Sequence, residues 1–105
     1  MAIHKIRLRG PWKIERRTDG STIFERAFGF PKRLHVEETV WLVCERLPGN
    51  GAVSVNGIKI GDAVTGLAFQ SDATAAMLPR NCVRIELKVV GDADLGEVGL
   101  EFRTN

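Results

Sequence analysis

Val83-Arg84-Ile85-Glu86-Leu87-Lys88-Val89 and, after a short acidic loop, Val98-Gly99-Leu100-Glu101-Phe102-Arg103 are the stretches whose reading decides the fold. In both, apolar side chains recur at every second position. Successive side chains of a strand point to opposite faces, so each stretch reads as a strand with one dry face and one wet face. The same period of two appears at residues 3–9, 12–15, 23–30, 40–44, 52–55 and 58–60.

The breaks between these runs carry turn chemistry. Pro11 has no N–H to donate and interrupts the first ladder after Gly10, and the run ending at Phe30 stops at Pro31. Thr18-Asp19-Gly20-Ser21 and Pro48-Gly49-Asn50-Gly51 are turn clusters. Asn56-Gly57 is the strongest hairpin signal, because both residues tolerate the positive φ of a type I′ turn. Residues 61–71 are weakly patterned and read as a long loop with one short strand near Leu67 and Phe69. A single helical turn is expected near 73–78, with Asp72 or Thr74 as its cap and Pro79 as its end. About eight short strands with no helices between them predict an all-β fold, an antiparallel β-sandwich, rather than a parallel sheet with helical crossovers. The expected core is Leu8, Trp12, Phe28, Phe30, Leu42, Cys44, Val53, Val55, Val83, Ile85, Leu87, Leu100 and Phe102.

Composition agrees with one ordinary domain over residues 1–105. The chain is 44% hydrophobic and 27% charged with a net charge of +2, a balance unlike that of a nucleic-acid binder. The charges are divided along the chain. Residues 1–35 hold nine Lys or Arg against three acids, and residues 36–105 hold six against ten, so the two parts should attract. No run approaches the roughly 20 apolar residues that cross a bilayer, and the charged, alternating start is unlike a signal peptide, so a cytoplasmic address is the default expectation. Cys44 and Cys82 are too few for a disulfide framework and lack zinc spacing, which predicts one buried and one partly exposed thiol; geometry decides whether they bridge.

The runs Leu8-Arg9-Gly10-Pro11-Trp12, Phe24-Glu25-Arg26-Ala27-Phe28-Gly29-Phe30-Pro31, Val53-Ser54-Val55-Asn56-Gly57-Ile58-Lys59-Ile60-Gly61 and Asp72-Ala73-Thr74, followed by Leu78-Pro79-Arg80-Asn81-Cys82-Val83, come in an ordered series. The series resembles galactose-binding-domain-like jelly rolls, in particular the N-terminal sugar-binding domains of β-galactosidase and β-glucuronidase type glycoside hydrolases. The likeness spans roughly residues 6–103. It implies a jelly roll with a binding role, and the catalytic carboxylates of those hydrolases have no counterpart here. The chain departs from the pattern at Ala75-Ala76, where relatives often carry a polar and a bulky apolar residue.

Catalytic constellations are weak in the sequence. Glycoside hydrolysis needs two carboxyl groups about 5–10 Å apart, and Asp92 with Asp94 reads instead as a solvated loop. No cofactor is expected; the same two aspartates are the one weak pointer to Ca2+, which wants six to eight oxygen ligands. His4 and His35 stand near no nucleophile motif, and no phosphate-cradling glycine pattern is present. Lys5, Arg7 and Arg9 form a basic ribbon without aromatics for base stacking, which predicts pairing with Glu86 or Glu101 across strands rather than nucleic-acid binding.

Two residues break the pattern instead. Trp41 lies with Val43 opposite Val40, Leu42 and Cys44, and a wet face should not carry both. Either a loop or the N-terminal segment covers them, or they form an apolar patch for a sugar ring or a protein partner. Arg26 shares a parity with Phe24 and Phe28 that leads inward. Either a bulge turns it outward, or it meets an acid at the sandwich edge, where its fork could also face a ligand. The function these features predict is a non-catalytic binding module for an oligosaccharide. The alternative is a protein-interaction or self-assembly domain, such as a homodimer, built on the exposed apolar sheet face.

Overall fold

The computed structural model describes residues 4–30, 33–89 and 94–104. Nine strands and one 3-10 turn follow in chain order: β1 (His4–Arg7), β2 (Lys13–Arg16), β3 (Ser21–Gly29), β4 (Glu38–Cys44), β5 (Asn50–Val55), β6 (Ile58–Ala63), β7 (Phe69–Asp72), the turn Thr74–Ala76, β8 (Arg80–Lys88) and β9 (Val98–Thr104). They form two antiparallel sheets, one of four strands in the order β1-β9-β4-β7 and one of five in the order β2-β3-β8-β5-β6. The chain crosses repeatedly from one sheet to the other, as a jelly roll requires.

Alternation builds the core. Val40, Leu42 and Cys44 of β4 and Val98, Leu100 and Phe102 of β9 face Val53 and Val55 of β5 and Val83, Ile85 and Leu87 of β8, and all are buried. Removing such apolar surface from water stabilises the sandwich by about 25 cal/mol per Å2. Trp12, Phe28 and Phe30, expected within the core, are only partly buried and pack against its margin. Ile23 is a further departure. It pairs with Glu15 on β2 and Glu86 on β8, outside the core cluster, yet is only 2% exposed.

Residues 61–71 carry more strand than their sequence suggests. β6 runs on to Ala63 and β7 begins at Phe69, and the sheets meet there because Gly61 leaves room for the Phe69 ring. A Cβ at position 61 would stand 2.8 Å from that ring. Ser71 Oγ also donates to the Ile60 carbonyl at 2.6 Å, joining the sheets on this side.

Two polar knots explain the motifs between strands. Asp72 Oδ1 accepts from the Thr74 amide at 2.9 Å and hydroxyl at 2.5 Å, and Thr74 Oγ1 accepts from the Val40 amide at 2.9 Å. Asp72 therefore acts through an Asx turn, and the 3-10 turn itself has no side-chain cap. Ala76 is 5% exposed against the core, so the small residue at the Ala75-Ala76 departure lets the turn sit close. In the second knot Asn56, at φ 53°, donates to the Ala76 carbonyl at 2.7 Å and to Asn81 Oδ1 at 2.8 Å, and accepts from the Cys82 amide at 2.9 Å. Asn81, 4% exposed, closes the loop by accepting from the Leu78 amide and donating to the Leu78 carbonyl, each at 2.8 Å.

Candidate functional site

The side of the sandwich opposite the β6–β7 join is where β1 and β2 leave one sheet for the other. Pro11 cannot continue the ladder, so the chain crosses through residues 8–12. Leu8 holds the start of the crossing, its amide donating to the Val98 carbonyl at 2.8 Å. The crossing leaves a cavity of about 340 Å3 between β1, β2, the 94–98 segment and Phe24. Leu8, Trp12, Phe24, Leu95 and Val98 supply its apolar wall, and Ile14, 51% exposed, stands at its mouth.

Charged residues of both signs line the same cavity. Arg7 pairs with Glu97 at 3.0 Å, and Arg9 and Asp94 complete the polar lining. An aromatic wall beside guanidinium donors and carboxylate acceptors suits a ligand with an apolar ring face and a rim of hydroxyl groups. By parity alone Trp12 reads as a core residue, and its place on the cavity wall is missed. The signal was available in Gly10-Pro11: an aromatic residue directly after a broken ladder stands at an edge.

Trp41 and Val43 lie on the outer face of the four-stranded sheet, neither fully covered nor fully open. The Arg103 guanidinium sits 4.2 Å from the centroid of the Trp41 ring, and Trp41 Nε1 donates to Thr39 Oγ1 at 3.0 Å. Arg103 is itself held by Glu101 at 3.0 Å and Gln70 at 2.7 Å. A cation–π contact therefore shields the Trp41 part of this face, while Lys5 and Arg7 of the N-terminal strand border Val43. Val43 borders a separate hollow of about 370 Å3 with Lys5, Arg7, Glu45, Gly99 and Glu101. That hollow exists because Gly99 carries no side chain between Arg7 and Val43, its register partners.

Arg26 belongs to the other sheet, so the structure does not bring it together with Trp41 and Val43. The expected bulge is absent: β3 pairs with β8 without interruption from Ser21 to Gly29, and Arg26 stands opposite the buried Val83. Nor does it meet an acid among the described residues. Its Nε donates to the Arg9 carbonyl and its Nη1 to the Ala27 carbonyl at 3.1 Å. The residue lies half-buried at the sandwich edge, where the core parity of its strand runs out toward the crossing segment.

The basic ribbon pairs with acidic β9 and its approach, Lys5 with Glu101 at 4.0 Å and Arg7 with Glu97, while Glu86 turns to Arg84 at 3.4 Å. The opposite charge of the two parts of the chain is thus spent partly on joining β1 to β9. Cys44 and Cys82 are free thiols in different sheets. Burial pushes the Cys44 thiol up to about 12. The Cys82 thiol is raised by partial desolvation and then by the nearby Glu25 carboxylate. Among the described residues no group of three or more His, Cys, Asp or Glu is placed to hold a metal ion. Asp92, half of the weak calcium pointer, lies outside the described residues. No helix among the described residues is long and apolar enough to cross a membrane.

Two antiparallel sheets of four and five strands, with the chain passing repeatedly between them, define an all-β sandwich of jelly-roll architecture. Solved structures share this fold: the FMN-binding β-glucuronidase from Facaelibacterium prausnitzii L2-6 aligns with a TM-score of 0.81 at 17% identity, over 98% of this chain and 23% of that one. A β-glucuronidase from Bifidobacterium dentium, solved with coumarin-3-O-glucuronide, aligns with a TM-score of 0.81 at 14% identity over 97% and 30%. A β-D-glucuronidase from Dictyoglomus thermophilum gives 0.75 at 13% identity over 97% and 28%. The chain therefore spans less than a third of the length of these enzymes and shares their sandwich fold. No protein-family profile and no curated protein matches the sequence.

Proposed function

We propose that this domain is a non-catalytic module that binds carbohydrate in the cavity at the β1–β2 crossing. The observation that carries the reading is the pairing, in one cavity of about 340 Å3, of the Trp12 and Phe24 rings with Arg9, Asp94 and the Arg7–Glu97 pair. A saccharide has apolar C–H faces that stack on aromatic rings and hydroxyl groups that both donate and accept hydrogen bonds. The cavity offers partners for each. The likeness to β-glucuronidase sandwiches supports the choice of a sugar over another ring compound, although fold alone does not fix function.

Titration calorimetry with cellobiose, lactose and methyl β-glucuronide tests this reading. Saturable binding to one of them, lost in Trp12→Ala and kept in Trp41→Ala, supports it. Binding that survives Trp12→Ala, or none with any of the three, contradicts it. The outer face around Trp41 and Val43 favours a second reading, a protein-interaction or self-assembly surface, because Val43 borders a hollow beside the Arg103-shielded Trp41. A concentration-dependent dimer abolished by Val43→Glu is the result that reading predicts.

A further inference from the structure

We infer that Arg26 is the positioning residue of the crossing: its guanidinium holds the Arg9 carbonyl and thereby fixes the Trp12 wall of the cavity. Arg26 is half-buried on the core-side parity of β3, opposite Val83, and forms no ion pair among the described residues. Two of its donors go to backbone oxygens, those of Arg9 and Ala27, which leaves the fork spanning β3 and the crossing segment. A guanidinium can make both bonds in one plane; an ammonium keeps the charge but lacks the rigid fork that spans the two carbonyls.

The place of the bond gives it its consequence. Arg9 sits between Leu8, which is anchored to β9 through the Val98 carbonyl, and Trp12, which packs on the margin of the core. Between those two points the ladder is broken by Pro11, so a side chain must do the holding that a strand partner does elsewhere. Arg26 is not among the residues that line the cavity. It acts on the cavity through Arg9, Gly10 and Trp12, and does not touch a ligand there. The same fork explains why a charged residue occupies an inward parity between Phe24 and Phe28.

The latch itself can be tested without a ligand, and only its effect on affinity rests on the carbohydrate reading. In a Trp41→Phe background Trp12 is the single indole. There, Arg26→Ala should raise acrylamide quenching of Trp12 and shift its emission to the red. Exchange of the Leu8 amide should quicken about tenfold, the effect of losing a hydrogen bond to a charged group, while the Ile85 amide in β8 keeps its protection. Arg26→Lys, which keeps the charge but lacks the fork, should fall between. Unchanged quenching, or equal loss of protection at Leu8 and Ile85, overturns the inference. Should Arg26→Ala fail to fold, Arg26→Gln, with a planar amide donor in place of the fork, is read by the same measurements. Cellobiose separates the two claims: weaker binding in Arg26→Ala with an exposed Trp12 supports both. Failure of the wild type to bind cellobiose counts against that ligand and leaves the latch to the fluorescence and exchange results.

Discussion

Replacing Asn81 by Ala removes the centre of the polar knot that joins the β5–β6 hairpin to the start of β8. Three hydrogen bonds disappear: those from the Leu78 amide and from Asn56 Nδ2 to Asn81 Oδ1, and that from Asn81 Nδ2 to the Leu78 carbonyl. A typical bond is worth about 1 kcal/mol net, so the sum is about 3 kcal/mol. Leu78 is 54% exposed and its backbone groups can turn to water, whereas Asn56 Nδ2 keeps its bond to the Ala76 carbonyl. Water recovers part of the loss, which leaves about 2 kcal/mol, or a fall in Tm of about 8–16 °C for a domain of this size. Urea unfolding followed by circular dichroism measures it, with an unchanged m-value showing that the native state is still compact. Asp62→Asn, at an exposed ion pair with Lys59, serves as the control and should change stability by less than about 0.5 kcal/mol. A loss at Asn81 no larger than that of the control would refute the account of the knot.

Other expectations follow from single contacts. Gly51→Ala would put a Cβ 1.8 Å from the Glu86 carbonyl oxygen within the β5–β8 ladder, one pair from its end, and should cost at least about 3 kcal/mol or prevent soluble expression. Thr74→Val keeps the shape of the side chain but removes the acceptor for the Val40 amide and the donor to Asp72; a loss of about 1–2 kcal/mol in urea unfolding is expected. In native protein at neutral pH, a thiol reagent should label Cys82 slowly and Cys44 only after denaturation. Labelling of Cys82 should quicken as the pH rises toward its upward-shifted pKa, because the thiolate is the reactive form; rapid labelling of both at neutral pH would contradict the burial. The Asp19 carboxyl is held below its usual range by the Ser21 hydroxyl and amide, so the stability it adds is present above the unfolded-state pKa and is lost as the pH falls through the lower folded value. Asp19→Asn should flatten that part of the stability–pH curve.

The strands were legible wherever one face is wet. β8 and β9 alternate cleanly, and Asn56-Gly57 marks its hairpin because the φ values it needs, 53° and 80°, are costly for most other residues. The reading weakened where burial does not follow parity. Ile23 is covered on an outer face, and β6 with β7 depends on Gly61 accommodating Phe69, a contact between residues eight apart that no local pattern reveals. The site was harder still. Trp41 and Arg26 stood out because they violate alternation, yet such a violation only says that something covers or holds the residue. For Trp41 the partner is Arg103, and for Arg26 it is the carbonyl of Arg9; neither pairing can be read without the register. Trp12 raised no such flag, since it fits the core parity and becomes a cavity wall only through the crossing of the chain between sheets.

The most direct test of the account is a 1H–15N spectrum of the labelled domain during titration with cellobiose, lactose and methyl β-glucuronide, following the indole N–H signals of both tryptophans. Binding in the crossing cavity predicts saturable shifts at the Trp12 indole and at Ile14, Leu95 and Val98, with the Trp41 indole unmoved. Shifts centred on Trp41 and Val43, or a spectrum unchanged by all three sugars, would contradict it.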